Sequence, residues 1–335
     1  MLEWPNREPA RLPPGHPPVM CVIVDTEEEF DWSKPFSRQC TATASIGAQE
    51  AVHNAVYDRL GIVPTYVVDW PVATTPKAYS ALRAIMREGR CDVGTHLHPW
   101  VSPPYVEVVN AHNSYAGNLD PELEAEKIKQ LTNAIYDNFG HQPQVFKAGR
   151  YGLGPHTLAI LEALGYRVDA SVVPHTAFTA DGGPDYTSCT NTAFWFADPR
   201  APMLALPVTT AFCGALKGVG PELYPQLDHR FAAALRVKGL LARTHLLERI
   251  RLTPEGCDVG ALKRLMMTLR NSGQPMTLTY HSPSLVPGNT PYVRTANELS
   301  GFLNTIEQCC QFFKEELGGI FLTATQIHKL LLKSK

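Results

Sequence analysis

An uninterrupted apolar run, Met20–Val24 (M-C-V-I-V), ends abruptly in the acidic stretch Asp25-Thr26-Glu27-Glu28-Glu29. A short, wholly apolar run bounded by polar residues is the pattern of a parallel strand covered on both faces. Similar stretches recur at Val63–Val68, Cys91–Leu97, Val145–Gly149, Tyr166–Asp169, Met203–Val208, Met276–Tyr280 and Ile320–Thr323. Between them the apolar positions take helical spacing. Ala48–Leu60 and Pro76–Glu88 are each closed by a glycine, and Asp120-Pro121 opens a helix with Ile128, Leu131, Ile135 and Phe139 on one face. Pro155–Leu164, Val259–Leu269 and Asn297–Leu317 are further helices. Strands alternating with helices predict an α/β protein whose seven or eight mostly parallel strands are joined by crossover helices.

Three stretches fall outside this rhythm. Residues 1–18, rich in proline, form an extended lead-in to a single domain over 19–330. Residues 212–257 form an excursion from the core, helical around Phe231–Ile250. Ser102–Leu119 and residues 174–200 lack any period, and long loops of this kind commonly serve as lids or binding loops.

Composition narrows the function classes. The chain has 335 residues, 44% hydrophobic and 19% charged, with a formal net charge of −2 and no basic run beyond Lys329–Lys335. This argues against nucleic acid as a partner. No apolar run has the length of a transmembrane segment, and the first residues lack the apolar stretch of a signal peptide. The eight cysteines include no C-x-x-C pair and point to a reducing compartment. The expectation is a soluble, cytoplasmic protein.

The candidate chemistry lies just after strand ends: Asp25 and Glu27, His96 and His98, Arg150, Asp169 and His281. In an extended chain, residues i and i+2 face the same side, so each of the first two pairs can address one point. Two imidazoles so placed are half of a zinc site, although H-x-H alone is a weak signal and also occurs in surface turns. Each residue has a plainer reading. Asp25 and Glu27 can cap a helix, Arg150 can be a structural ion-pair partner, Asp169 a turn residue and His281 a buried, hydrogen-bonded histidine. In parallel α/β barrels, however, polar residues gathered at the C-terminal ends of several strands mark the active-site face. Trp32, Trp70, Trp100 and Trp195 are either core or sugar-stacking platforms, and His112, Asn113, Tyr115 and Asn118 are lid residues within reach of a substrate. The G-R-Y-G-L-G segment at 149–154 lacks the start and context of a dinucleotide fingerprint.

In this order the motifs resemble the polysaccharide deacetylases (carbohydrate esterase family 4), in particular a divergent branch found in polysaccharide and lipopolysaccharide biosynthesis. The resemblance runs from about Met20 to Thr323 and rests on five short motifs. Val24-Asp25-Thr26-Glu27 stands where the family has a carboxylate pair, one a base and one a metal ligand. Gly94–Pro99 resembles the metal motif ending in His-Pro. Gly149-Arg150-Tyr151-Gly152 resembles the motif whose arginine orients the base. Tyr166–Ser171 matches the region carrying an aspartate behind the catalytic histidine, and Leu278–His281 the closing motif whose histidine is the general acid. Two departures stand out: the metal histidines are two apart, not four, and Glu27 replaces an adjacent aspartate.

The resemblance implies a distorted (β/α) barrel holding a divalent metal, usually Zn2+, on Glu27, His96 and His98, with Asp25 as second choice for the carboxylate ligand. It implies Asp25 as base, Arg150 beside it, His281 as acid and Asp169 behind His281. Trp32, Trp100, Asn113, Tyr115 and Tyr151 are the expected substrate contacts. The implied activity is removal of an N-acyl group, of the N-acetyl kind, from an amino sugar or glycan precursor. A small cyclic amide or imide as substrate, or a glycan-binding protein without turnover, are the alternatives.

Overall fold

The computed structural model describes Trp4 and residues 7–227 and 237–335. Its strands are β1 (Glu8–Pro9), β2 (Val19–Thr26), β3 (Thr65–Val68), β4 (Asp92–Leu97), β5 (Val145–Ala148), β6 (Val168–Asp169), β7 (Phe194–Phe196), β8 (Met203–Ala205), β9 (Thr210–Cys213), β10 (Glu248–Arg251), β11 (Met276–His281) and β12 (Ile320–Phe321). Ten of them form one curled sheet in the order β1-β7-β8-β6-β5-β4-β3-β2-β11, with β12 added to β2. Every pairing from β8 through β6, β5, β4, β3 and β2 to β11 and β12 is parallel. These eight are the strands the apolar runs predict. β1 and β7 extend the edge antiparallel, while β9 and β10 pair in a separate ribbon.

All eight residues of β2 are buried, as a strand covered on both faces requires. Alternation divides them. Met20, Val22 and Val24 join the large core under the helices, whereas Val19, Cys21 and Ile23 join a smaller core with Val67, Val145, Val168, Ile327 and Leu331. Asp25 continues the second row, as do His96 above Gly94, Lys147 above Val145, and His281 above Thr277 and Thr279. Register sets them in two steps: His281 pairs with Asp25, which stands level with Val67 and Gly94, and His96 pairs with Lys147 two residues further along. These residues therefore make up the top two layers of the inner sheet face.

The helix Pro121–Phe139 is capped by Asp120, as its sequence predicts, and buries Ile128, Leu131, Ile135 and Phe139. Its Lys127 is also buried; Nζ donates to the carbonyls of Pro99, Ser102 and Pro104 at 3.1, 2.6 and 2.7 Å, clamping the segment that follows β4. Two loop expectations need correction. Phe194-Trp195-Phe196 is a buried sheet strand, not a lid, and Trp195 packs against His328. Of the helix expected around Phe231–Ile250, residues 231–236 lie outside the described residues, Val237–Arg243 is helical, and Glu248–Arg251 is strand. The strand wins because β9 offers a full antiparallel ladder and Ile250 alone of the four turns into the core. All eight cysteines are free, and no described helix is long and apolar enough to cross a membrane.

Candidate active site

The C-terminal ends of β2, β4, β5 and β11 surround a cleft of about 470 Å³. Glu27, just past β2, is fixed by its backbone N–H donating to Ser282 Oγ at 3.1 Å. The Nε2 atoms of His96 and His98 stand 3.3 and 3.4 Å from Glu27 Oε2. All three residues are buried, and one ligand atom from each lies within 4.8 Å of the others. The opposite ring nitrogens are already engaged, His96 Nδ1 with the Lys147 carbonyl at 2.9 Å and His98 Nδ1 with Glu28 Oε2 at 2.7 Å. A carbonyl only accepts, so the His96 proton sits on Nδ1 and Nε2 presents a lone pair. Lone pairs and a carboxylate oxygen aimed at one point repel unless a proton or a cation lies between them. Two imidazoles and a carboxylate, with each Nδ1 tethered from behind, fit a divalent cation such as zinc. Burial pushes Glu27 up to about 7, pulls His98 down to about 4 and lowers His96, as expected where water is scarce.

His98 needs space that only glycine leaves. A Cβ on Gly149 would lie 2.3 Å from His98 Cδ2. His98 also stacks on Trp100, with ring centroids 4.3 Å apart. Trp100 Nε1–H donates to Glu28 Oε1 at 2.9 Å, so Glu28 fixes both rings. Behind Glu28 lies Asp69, which accepts the Glu28 backbone N–H at 2.7 Å and caps the short helix Trp70–Thr74. Glu28, Asp69 and His98 also converge closely, but with His98 Nδ1 donating to Glu28 they serve to position the ring.

Asp25 and His281 form the second half of the site. Lys147 Nζ lies 2.5 and 2.7 Å from the Asp25 carboxylate oxygens and 2.8 Å from Thr279 Oγ1. Burial opposes the Asp25 charge, but Lys147, His96 and His281 together outweigh it and hold the carboxyl below its usual range. His281 Nε2 is 3.6 Å from Asp25 Oδ2. Its Nδ1 meets Glu255 Oε2 at 2.7 Å, and its backbone N–H donates to Glu255 Oε1 at 3.1 Å. Burial opposes the imidazolium, but Glu255 first, then Glu27 and Asp25, raise His281 well above its ordinary value. A carboxylate held ionised beside an imidazole held protonated is an acid–base pair.

No protein-family model matches the chain, and no curated protein matches it in sequence. Solved structures match in fold. A candidate polysaccharide deacetylase from Mycobacterium smegmatis shares 15% identity, covering 99% of this chain and 96% of its own, with a TM-score of 0.54. A candidate polysaccharide deacetylase from Pseudomonas aeruginosa PAO1 shares 13% over 94% of this chain and 91% of its own, with a TM-score of 0.53. PuuE allantoinase shares 13% over 98% of this chain and 94% of its own, with a TM-score of 0.57. The fold is that of the polysaccharide deacetylases. At these identities the likeness concerns architecture alone.

Within the deacetylase fold, Asp25, Glu27, Trp32, His96, His98, Trp100, Arg150, Tyr151 and His281 all line the one cleft. Their partners differ from expectation at two points. Arg150 does not serve Asp25: it donates to Ser114 Oγ at 2.6 Å and Asp181 Oδ2 at 2.7 Å, with its guanidinium 4.1 Å from the Tyr115 ring centroid. Arg150 and Tyr151 hold left-handed φ of 52° and 60°, and this turn carries the arginine off the strand line toward the 102–119 loop. Lys147, on the inner face of β5, takes the place beside Asp25. Asp169 does not stand behind His281 either. It is fully buried on β6, with four strands between it and β11, accepting from Ser171 Oγ at 2.6 Å, and burial pushes it up to about 7. Glu255 stands behind His281 instead.

The expected substrate contacts separate in the same way. Trp32 is 42% exposed and meets the His281 ring edge-on at 5.3 Å, whereas Trp100 is buried beneath His98. Asn113 is turned into its own loop, donating to the Val108 carbonyl at 2.8 Å, and is not part of the cleft wall. Tyr115 is buried as a support for Arg150. Asn118 ties its loop to the Gly182 carbonyl at 2.8 Å.

Proposed function

We propose that this protein is a metal-dependent amidohydrolase that removes an N-acyl group, of the N-acetyl kind, from an amino sugar or glycan precursor. The observation that carries this reading is the convergence, in one cleft, of the Glu27–His96–His98 cluster and the Asp25–His281 pair. The aromatic wall of Phe30, Trp32, Phe36, Tyr151 and Tyr292 suits the flat faces of a sugar. A place in polysaccharide or lipopolysaccharide biosynthesis, on a precursor inside a reducing compartment, extends the reading from the five motifs and the free cysteines.

Glu27, His96 and His98 would hold the cation. When bound, a divalent cation such as Zn2+ supplies a Lewis acid for the amide carbonyl and lowers the pKa of water to about 7. Asp25 accepts the proton of the attacking water. Lys147 keeps Asp25 ionised and fixes both its oxygens. His281 delivers a proton from Nε2 to the departing nitrogen, while Glu255 holds Nδ1–H and with it the orientation and charge of the ring. Glu28 and Trp100 keep His98 facing Glu27.

Elemental analysis of the purified protein is expected to find about one divalent ion per chain, lost in the H96A/H98A double variant. Acetate release from N-acetylated amino sugars, measured beside ring opening of cyclic amides, then assigns the substrate class. A wild-type protein that neither holds nor takes up metal would overturn the hydrolase reading in favour of glycan binding without turnover.

Glu255 carries its own prediction. It is the largest influence raising His281, so E255Q lets the imidazolium lose its proton at lower pH. The general acid must be protonated to act. The descending, basic limb of the kcat/KM profile is therefore expected to move to lower pH, with the acidic limb in place. An unmoved basic limb would show that Glu255 does not govern the acid.

A further inference from the structure

Three cations at the cleft are already paired: Lys147 with Asp25, Arg150 with Asp181 and Lys34 with Asp31. Arg251 is the exception. It lines the same cleft, partly buried, and among the described residues it has no carboxylate within ion-pair distance. The contact made by its guanidinium is with the Tyr151 ring, 5.5 Å from the centroid. The two cleft-wall carboxylates nearest the chemistry, Asp25 and Glu27, are committed to Lys147 and to the histidine cluster.

The mounting of Arg251 is rigid. β10 pairs with β9, placing Arg251 opposite Thr210, and strand alternation sends Ile250 into the core and Arg251 to the other face. The next residue is bonded on both sides: Leu252 N–H donates to the Thr209 carbonyl at 2.8 Å, and its own carbonyl accepts from Thr279 N–H at 3.1 Å. The Arg251 carbonyl accepts from Thr253 N–H at 2.9 Å. The segment that holds Arg251 at the cleft is thus the one that delivers Glu255 to His281. A guanidinium drawn partly out of water without a counter-ion is costly, and its planar fork matches a carboxylate or phosphate.

We propose that Arg251 binds an anionic oxygen group, a carboxylate or a phosphate, carried by the substrate. The substrate class is then an acidic or phosphorylated amino sugar, not a neutral glycan; the sugar part of this statement rests on the amidohydrolase reading, the anion part does not. Tyr151 holds the guanidinium flank, and the aromatic wall receives the ring.

Titration calorimetry at low ionic strength tests this with N-acetylglucosamine, N-acetylglucosamine 1-phosphate and N-acetylmuramic acid, on wild type, R251K and R251Q. One of the two acidic sugars is expected to bind wild type roughly 10-fold or more tightly than the neutral one, as a charge-assisted contact predicts. Which acid it is identifies the anion. The preference should vanish in R251Q and fall several-fold in R251K, which keeps the charge but not the fork. R251K decides the matter should R251Q not fold. Equal affinities in wild type, no binding of either acid, or a preference that both variants retain would overturn the proposal. Acetate release from the same sugars keeps the two readings separate. An Arg251-dependent preference without acetate release leaves this inference standing and removes the hydrolase. Release at equal kcat/KM from neutral and acidic sugars does the reverse.

Discussion

Changing His281 to glutamine, or Asp25 to asparagine, is expected to lower turnover roughly 10²–10⁴-fold in each case while metal content stays at the wild-type level. The size of the effect follows from how differently the two groups are held. Asp25 is kept ionised by Lys147 despite burial, and His281 is kept protonated by Glu255 despite burial. Two groups pushed apart in this way, 3.6 Å from each other, are suited to divide proton removal and proton delivery as the proposed function requires. Neither belongs to the Glu27–His96–His98 cluster, so a loss of turnover with metal retained separates proton transfer from ligation. Steady-state acetate release paired with elemental analysis makes the measurement. Near wild-type turnover in both variants would remove the acid–base assignment.

The second large effect concerns stability. Lys147→Met leaves Asp25 buried without its counter-charge, and breaking a buried pair by removing one partner costs about 3–5 kcal/mol. Urea denaturation at neutral pH is expected to show that loss. The sign of its pH dependence follows from Asp25. With Lys147 present the carboxyl lies below its usual range, so its stabilising contribution is present at neutral pH and disappears as pH falls through that lowered value. Without Lys147 burial dominates, the carboxyl takes up its proton at higher pH, and the K147M deficit should shrink on acidification. The double variant D25N/K147M should recover a good part of the lost stability, because no charge is then stranded. A double variant as unstable as K147M alone would mean that Lys147 acts through packing and not through Asp25.

Much of this site is legible because strands impose a simple geometry. Asp25 and Glu27, or His96 and His98, need only an extended backbone to share a side, and the apolar runs that precede them identify the strands. All four line the cleft with His281, Trp32 and Tyr151. The partners of these residues are far less legible. Lys147 looks like a minor interruption of V-F-K-A, although a lysine inside a buried strand calls for a carboxylate to meet it. Arg150 follows a similar strand end, but its left-handed turn, invisible to periodicity, sends it to Asp181. Asp169 ends a strand of the right kind on the wrong part of the sheet, and only strand order reveals the distance. Glu255 sits in 212–257, where the alternation of Glu248–Arg251 is too short to stand out against a helical neighbourhood. Glu28 is one member of an acidic run whose exposed reading is the ordinary one, yet it is fully buried under Trp100 and His98.

The pairing of β2 with β11 sets His281 opposite Asp25 across most of the length of the chain. Contacts so distant in sequence carry a large loop-closure cost and form slowly. The three proposed cation ligands and the proposed base all lie within the first hundred residues, at the ends of β2 and β4; the proposed proton donor and its Glu255 partner belong to the final third. During synthesis the residues of the proposed ion site are made first, while two of their supports come later: the Lys147 carbonyl that meets His96 and the Ser282 hydroxyl that holds the Glu27 N–H. On the proposed function, the residues that would capture an ion and those that would cleave a bond are therefore synthesised at different moments, and the β2–β11 ladder joins them before β12 is added on β2.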